Sequence, residues 1–210
     1  MKWISRLAEL IEDWNDMIRV HGWRLALPQI ERELLRLPYQ HLQFVIAARS
    51  LLEPLPDLEP KIALEIRPIE LVDLEWVRQI NRPSEARALA RRLACGQKGL
   101  IALFQRQPVG YAWGCAEVDP ALERVQLMLR PGDALYVDAY TAPAFRGRGI
   151  QTALLLTRLR LFRDLGYRRV VAYIEKRNAP SLAVWRKVGS QEIGQIDFLR
   201  IGPWRCTRYL

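Results

Sequence analysis

Apolar residues at the start of the chain recur with the spacing of an amphipathic helix. Over residues 3–18 they are separated by three or four positions, at Trp3, Leu7, Leu10, Trp14 and Met17. The opposite face is acidic, whereas a helix that lies on a membrane surface usually has a basic one. We therefore expect this helix to pack on the body of the protein or to form a homodimer contact with a second copy.

A proline-rich stretch follows at residues 53–60. It contains Pro54, Pro56 and Pro60, and this density is typical of a linker because prolines interrupt helices and strands. Before it, the pattern predicts a short helix over 28–37 and a strand over 41–47. We place a domain boundary here, with an N-terminal helical extension at residues 1–60 and one domain at residues 61–210.

The pattern after the proline-rich stretch predicts strands in hairpins, followed by a strand–helix–strand crossover. The predicted strands are 63–69, 100–105, 109–118, 124–129, 134–141 and 169–175, with two more after 188; the predicted helices are 72–80, 84–94, 149–165 and 179–188. Hairpins form antiparallel pairs, and a crossover joins strands of one sheet through a helix. The expected fold class is therefore α+β, a mixed sheet with helices packed on it.

Charge is distributed unevenly along a chain whose net charge is +9. Residues 1–60 hold 7 Lys and Arg against 9 Asp and Glu, and the remainder holds 25 against 14, a balance of +11. A basic region attracts nucleic acid or a phosphate-rich small molecule. The arginines are scattered and not interleaved with aromatic residues, so nucleic-acid binding is the less favoured partner.

The remaining composition gives no signal for export, membrane insertion or a metal. Charges interrupt the first residues too early for a secretory leader, and no uncharged apolar run reaches the roughly 18 residues that span a bilayer. We expect a soluble, cytoplasmic protein. The three cysteines are odd in number and widely spaced, and His21 and His41 stand far apart, so neither a disulfide framework nor a metal site is predicted.

The junction between the predicted strand 134–141 and the predicted helix 149–165 favours anion binding. Gly147 and Gly149 allow backbone conformations closed to other residues and a close approach of a ligand to the amides. The first N–H groups of a helix are unpaired and lie at the positive end of its dipole. Arg146 and Arg148 add charged donors, so the junction is suited to a diphosphate. In the helix itself, Ile150, Leu154, Leu161 and Leu165 are predicted to form the buried stripe, opposite Arg158, Arg160 and Arg163.

Together with a second motif, this junction resembles the signature of the GCN5-related N-acetyltransferases (GNAT). The family has Arg/Gln-x-x-Gly-x-Gly/Ala at a strand–helix junction, then Asn-x-x-Ser and Lys-x-Gly in the next strand–helix unit. This chain has matching residues in the same order at 146–151, 178–181 and 187–189. The resemblance covers about residues 63–210.

The resemblance implies a mostly antiparallel sheet in which the strands 134–141 and 169–175 are parallel and splay apart. Acetyl-CoA, or another acyl-CoA, would lie in that cleft as co-substrate, with its pantetheine arm on the backbone of the first strand and its pyrophosphate on the amides of the junction. Asn178 and Ser181 would lie near the arm or order their turn. The implied coenzyme-binding residues are Tyr140, Thr141, Arg146, Gly147, Arg148, Gly149, Ile150, Gln151, Thr152, Asn178 and Ser181. No metal is implied.

This chain departs from the family pattern at three positions. Gln151 replaces the last Gly/Ala, so its side chain either hydrogen-bonds the phosphates or restricts their approach. Trp185 stands where many relatives have a tyrosine that protonates the leaving thiolate, and an indole N–H cannot act as an acid near neutral pH. Ser190 replaces a usual aromatic residue. Either another group protonates the sulfur or the thiolate leaves unassisted.

Three residues near the expected cleft are candidates for acid–base catalysis. The two-residue period of a strand places Tyr136, Asp138 and Tyr140 on one face, and Tyr173 and Glu175 on one face of the parallel neighbour. Asp138 and Glu175 are candidate general bases or acceptor-orienting groups, and Tyr173 is a candidate acid. Each carboxylate is alternatively an ion-pair partner for an arginine.

The expected function is acyl transfer from acetyl-CoA to an amine by direct attack on the thioester. The acceptor would be a small molecule or an amino-sugar or glycan precursor. The alternative is a non-catalytic CoA-binding or interaction module, because the departures at 151, 185 and 190 are also typical of a degenerate site.

Overall fold

The computed structural model describes residues 39–80, 83–95, 97–116, 127, 129–201 and 204–210, together with Trp14, Asn15, Ile18 and Arg19. These four early residues are helical. The rest of the helix predicted over 3–18, the helix predicted over 28–37 and the expected homodimer contact lie outside the described residues. So does most of the strand predicted over 124–129.

From Tyr39 onward, the described residues form eight strands and four α-helices. The strands are β1 (Tyr39–Ser50), β2 (Glu65–Pro68), β3 (Gly99–Phe104), β4 (Gln107–Cys115), β5 (Asp133–Thr141), β6 (Arg169–Glu175), β7 (Gln191–Ile201) and β8 (Trp204–Tyr209). The helices are α1 (Asp73–Ile80), α2 (Pro83–Ala94), α3 (Ile150–Asp164) and α4 (Ala179–Lys187), and a 3-10 turn spans Pro143–Phe145.

The strands form one sheet in the order β2-β3-β4-β5-β6-β1-β7-β8. Every neighbouring pair is antiparallel except β5 and β6, which are parallel. The predicted mixed, mostly antiparallel sheet with one parallel pair is therefore confirmed. The parallel pairing begins at Asp133 and Arg169 and ends at Leu135 and Val171, although both strands continue beyond these residues. The sheet accordingly opens between the ends of β5 and β6.

Strand β1 lies inside this sheet, between β6 and β7. Ala47 belongs to one hydrophobic cluster and Phe44 and Ala48 to another, so β1 is buried on both of its faces. The sequence-based boundary at residues 53–60 assigned this strand to an extension, and for residues 39–50 that assignment is wrong. The separate character of the preceding residues stays a prediction.

The proline-rich stretch runs back to the predicted anion site. The backbone N–H of Lys61 donates to the carbonyl oxygen of Arg148 at 2.9 Å, and Pro60 lies against Gly149. The stretch that joins β1 to β2 therefore packs beside the start of α3.

Each face of the sheet carries its own hydrophobic cluster. On one, the α3 face, Leu154, Leu155 and Leu159 of α3 pack with residues of β3 to β6 and with Trp185 of α4. On the other, the α1–α2 face, Val77 and Leu89 pack with residues of β1 and β3 to β7.

The predicted stripe of α3 is only partly correct. Ile150 and Leu154 are buried, but Leu161 is 40% and Leu165 73% exposed, while Arg158 is only 5% exposed. The Arg158 guanidinium donates to the carbonyl oxygen of Lys98 at 2.8 Å. That partner lies 60 residues away, so helical periodicity does not reveal it.

Candidate active site

The junction between β5 and α3 has the backbone geometry that its glycines predicted. After the 3-10 turn, Gly147 and Gly149 adopt φ angles of +76° and +85°, in the left-handed region that favours glycine. A Cβ at position 147 would meet nothing within 4 Å, whereas one at position 149 would lie 3.1 Å from the Cα of Pro60. One glycine therefore lies beside open space, and the other is packed against the chain that leads to β2.

The N-terminus of α3 has no side-chain cap. Gly149 is its N-cap residue, and the first turn contains no acidic residue. By contrast, the Oδ1 atom of Asn178 accepts a hydrogen bond from the Ser181 N–H at 3.2 Å at the start of α4. Helix N–H groups without a side-chain cap are donors for an anion, and the helix dipole favours negative charge there. Asn178 thus orders its own turn, one of the two roles expected for it.

A cavity of about 600 Å³ lies between the end of β5 and the N-terminal parts of α3 and α4. Ten of the eleven residues predicted to bind the coenzyme line it: Tyr140, Thr141, Arg146, Gly147, Gly149, Ile150, Gln151, Thr152, Asn178 and Ser181. The eleventh, Arg148, places its guanidinium 5.2 Å from the centre of the Phe145 ring. The structure therefore brings residues of both sequence motifs to one cavity.

The side chain of Gln151 is directed at the strands. Its Nε2 atom donates to the carbonyl oxygen of Tyr140 at 2.6 Å, to Thr141 Oγ1 at 2.9 Å and to the carbonyl oxygen of Tyr111 at 3.3 Å. Its Oε1 atom accepts a hydrogen bond from the Tyr136 hydroxyl at 3.5 Å. Gln151 therefore joins the first turn of α3 to β4 and β5.

Tyr136 is a site residue that the sequence interpretation did not assign to the cavity. It is 6% exposed, lines the cavity, and packs edge-to-face with Trp185 at 5.7 Å between ring centres. Burial raises the pKa of the Tyr136 hydroxyl, and the nearby charge of Arg158 offsets this only in part. Tyr136 consequently remains a proton-bearing hydrogen-bond donor throughout the physiological range.

A β-bulge in β5 explains why Tyr136 lines the cavity and Asp138 does not. Tyr111 pairs with Tyr140 and Trp113 with Val137, so three steps along β5 match two along β4. The extra residue reverses the alternation of side chains. Tyr136 belongs to the cluster on the α3 face, whereas Tyr140 packs with the other cluster and stacks on Tyr111 at 5.8 Å. The prediction that Tyr136, Asp138 and Tyr140 share a face is therefore wrong.

The three catalytic candidates lie outside the cavity lining. Asp138 adopts a φ angle of +46° at the bulge, and its Oδ2 atom accepts a hydrogen bond from Arg92 at 2.7 Å. Tyr173 packs on the α1–α2 face, edge-to-face with Phe44 at 5.5 Å. Glu175 is half-buried at the end of β6, where its carbonyl oxygen accepts from the Asn178 N–H.

Neither a metal site nor a membrane span is found in the part of the chain that the structure describes. No three His, Cys, Asp or Glu side chains there are grouped closely enough to hold a metal ion. Likewise, no helix within those residues is long and apolar enough to cross a bilayer.

Comparison with known proteins gives a family match over most of the described chain. The model of the acetyltransferase (GNAT) family matches residues 64–189. A mycothiol acetyltransferase from Saccharomonospora viridis is 32% identical over 121 residues, which are 58% of this chain and 36% of that protein. The chain thus spans well under half of the curated relative.

Two solved structures share the fold. A Drosophila protein superposes with a TM-score of 0.56 at 16% identity, over 87% of this chain and 58% of its own. A GCN5-related N-acetyltransferase from Sphaerobacter thermophilus superposes with a TM-score of 0.50 at 16% identity, over 89% and 57%. At these identities the likeness concerns the fold alone.

Proposed function

Because the chain belongs to the acetyltransferase (GNAT) family, we propose that it transfers an acyl group from acetyl-CoA to an amine. The 32% identical relative is named as an acetyltransferase, which favours acetyl as the group transferred. The proposed acceptor is a small molecule, such as an amino-sugar or glycan precursor. The expected chemistry is direct attack by the amine nitrogen on the thioester carbonyl, which forms a C–N bond and releases a thiolate.

The observation that carries this proposal is the cavity at the N-terminus of α3. Gly147 and Gly149 both have positive φ angles, Gly147 lies beside open space, and the helix has no acidic residue in its first turn. Arg146 adds a positive charge to the lining. These features fit a pyrophosphate, since N–H groups and guanidinium both donate to phosphate oxygens. Beyond the junction, Tyr136 and Trp185 provide an aromatic wall.

The amine must lose a proton and the departing sulfur must gain one. We propose Glu175 or Asp138 to accept the amine proton or orient the acceptor, and Tyr173 as an acid. One oxygen of Asp138 is engaged by Arg92, so acceptor orientation is the role that its geometry favours. Inside the cavity, the Tyr136 hydroxyl is a second candidate donor to the sulfur.

Calorimetry with coenzyme A and acetyl-CoA tests the binding half of the proposal. Both ligands should bind, and Arg146→Met should weaken both, because it removes a charged donor from the cavity wall. Arg106→Met, in the β3–β4 turn, is a matched control that removes an exposed arginine elsewhere and should leave binding unchanged. Absence of binding to the wild-type chain would refute the proposal.

A thiol-release assay with a panel of amines tests the catalytic half. Release that depends on one class of amine identifies the acceptor, and mass spectrometry of the product then locates the acyl group. The buried Trp185 in the cavity wall is the observation that favours the alternative, a non-catalytic CoA-binding module. Tight CoA binding without release for any amine would support that alternative.

A further inference from the structure

The side chain of Arg92 is among the most buried in the described chain. It lies near the end of α2, is 1% exposed, and reaches the bulge of β5, 46 residues further along the sequence. Its NH2 group donates to Asp138 Oδ2 at 2.7 Å. A buried guanidinium in contact with a carboxylate is costly to leave without its partner, so the pair strongly favours one arrangement.

A second contact fixes the other end of the guanidinium. The NH1 group of Arg92 donates to Gln97 Oε1 at 3.2 Å, and the same oxygen accepts from Trp113 Nε1 at 3.3 Å. The Trp113 indole leaves no room for a Cβ at Gly99, which would lie 2.3 Å from it. Arg92 is therefore held by β4 through Gln97 and Trp113, and it holds Asp138 in turn.

The conformation of Asp138 needs such support. Among the described residues other than glycine, positive φ angles occur at Gln105 and Arg106, in the β3–β4 turn, and at Asp138, within a strand. A left-handed residue inside a strand is disfavoured and persists when surrounding contacts compensate. The ion pair with Arg92 is a contact that can do so at this position.

The bulge also determines what faces the cavity. Because of the extra residue, Tyr136 points to the α3 face while Tyr140 points to the opposite face. The carbonyl oxygen of Tyr140 meanwhile accepts the shortest hydrogen bond of Gln151. Without the bulge, the regular alternation of a strand would place the side chains of 136 and 140 on the same face.

We propose that Arg92 is a positioning residue that shapes the coenzyme cavity from the other side of the sheet, by holding Asp138 in the left-handed conformation that creates the bulge. This inference rests on the proposed function, since it assumes that the cavity binds coenzyme A. Its contact with Asp138 acts on the backbone of β5, the strand that carries Tyr136 and Tyr140.

The experiment compares coenzyme A affinity, by calorimetry, with thermal stability in a set of variants. Arg92→Met should lower the affinity about tenfold, the population change expected when a strained conformation loses its support. Arg92→Lys retains a charged donor and should lower the coenzyme A affinity less than Arg92→Met does. The double variant Arg92→Met/Asp138→Gly should recover to within about threefold of wild type, because glycine adopts a positive φ without support.

Arg67→Met is the matched control. It breaks another arginine–aspartate contact, with Asp73 at 2.7 Å, on the edge strand β2. It should lower the melting temperature and leave coenzyme A affinity unchanged. A wild-type chain that does not bind coenzyme A would refute the proposed function itself. If the wild type binds, then unchanged affinity in Arg92→Met, or a double variant as weak as the single one, would overturn the role of Arg92.

Discussion

The two glycines of the β5–α3 junction offer a matched pair of perturbations. Both have φ angles near +80°, so alanine at either position adopts a left-handed conformation that costs about 1–2 kcal/mol. Replacing glycine also lowers the entropy of the unfolded chain, which stabilises the folded state by about 0.4–1 kcal/mol. Gly147→Ala, whose Cβ meets nothing within 4 Å, should therefore lower the unfolding free energy by about 1 kcal/mol.

Gly149→Ala should be more destabilising, because its Cβ would lie 3.1 Å from the Cα of Pro60. The Cα atom of Pro60 belongs to the backbone and cannot move away by a change of rotamer. Overpacking of this kind typically lowers the unfolding free energy by about 1–3 kcal/mol more. For a chain of this size, each kcal/mol lowers the melting temperature by about 2–4 °C. Gly149→Ala should therefore melt several degrees below Gly147→Ala in a thermal scan without ligand.

For coenzyme A affinity we expect the opposite order, with Gly147→Ala the more affected variant. The open space beside Gly147 is where a phosphate would approach the backbone, so a methyl group there should weaken binding beyond its effect on stability. Calorimetry on both variants measures this directly. Equal melting temperatures for the two variants would refute the argument from Pro60, and wild-type affinity in Gly147→Ala would refute the placement of the phosphate.

Three further predictions concern side chains around the cleft. Gln151→Met has nearly the same length but lacks the two Nε2 N–H groups, which are shared among three oxygens. We expect a lower melting temperature, by about 2–4 °C for each of two hydrogen bonds of about 1 kcal/mol, and weaker coenzyme A binding. A melting temperature and a coenzyme A affinity equal to those of wild type would show that the hydrogen bonds of Gln151 are unimportant. Tyr136→Phe keeps the ring contact with Trp185 and should retain affinity while thiol release slows by about a hundredfold; an unchanged rate would exclude Tyr136 as the donor to sulfur. Burial raises the pKa of Asp133, but the hydrogen bonds from Arg169 and the Arg130 N–H outweigh it, so the net pKa lies below the usual value. The stability from this pair is thus present above about pH 4 and is lost as the pH falls through the lowered pKa. Asp133→Asn should have a lower unfolding free energy than wild type at pH 7, measured by urea titration. Its unfolding free energy should then fall less than that of wild type as the pH is lowered below about 4; an equal fall in both proteins would contradict this.

The elements that were predictable are those that local chemistry encodes. Gly147 and Gly149 mark the junction because few other residues tolerate its backbone, and the apolar run of β6 gives bounds that the structure reproduces. A second motif at the start of α4 adds Asn178 and Ser181 to the same cavity. Glycine chemistry and the family resemblance together therefore anticipated ten residues of the cavity lining.

The elements that were not predictable depend on partners far away in sequence. The bulge at Asp138 adds one residue without a turn signature, and its support comes from Arg92 on another helix. The position of Arg158 in its helix suggests a surface residue. It is buried because its guanidinium donates a hydrogen bond to the carbonyl oxygen of Lys98, in another segment. Long-range hydrogen bonds of this kind are invisible to a periodicity argument.

The position of β1 has a consequence for how the protein is made. This strand ends at Ser50 and is synthesised before both of its neighbours, β6 and β7, which begin only at Arg169 and Gln191. More than a hundred residues must therefore be synthesised while an apolar strand waits without its native neighbours, a state that invites aggregation. For the same reason, trimming the chain at the apparent linker would withdraw a strand from the middle of the sheet and leave β6 and β7 with nothing between them.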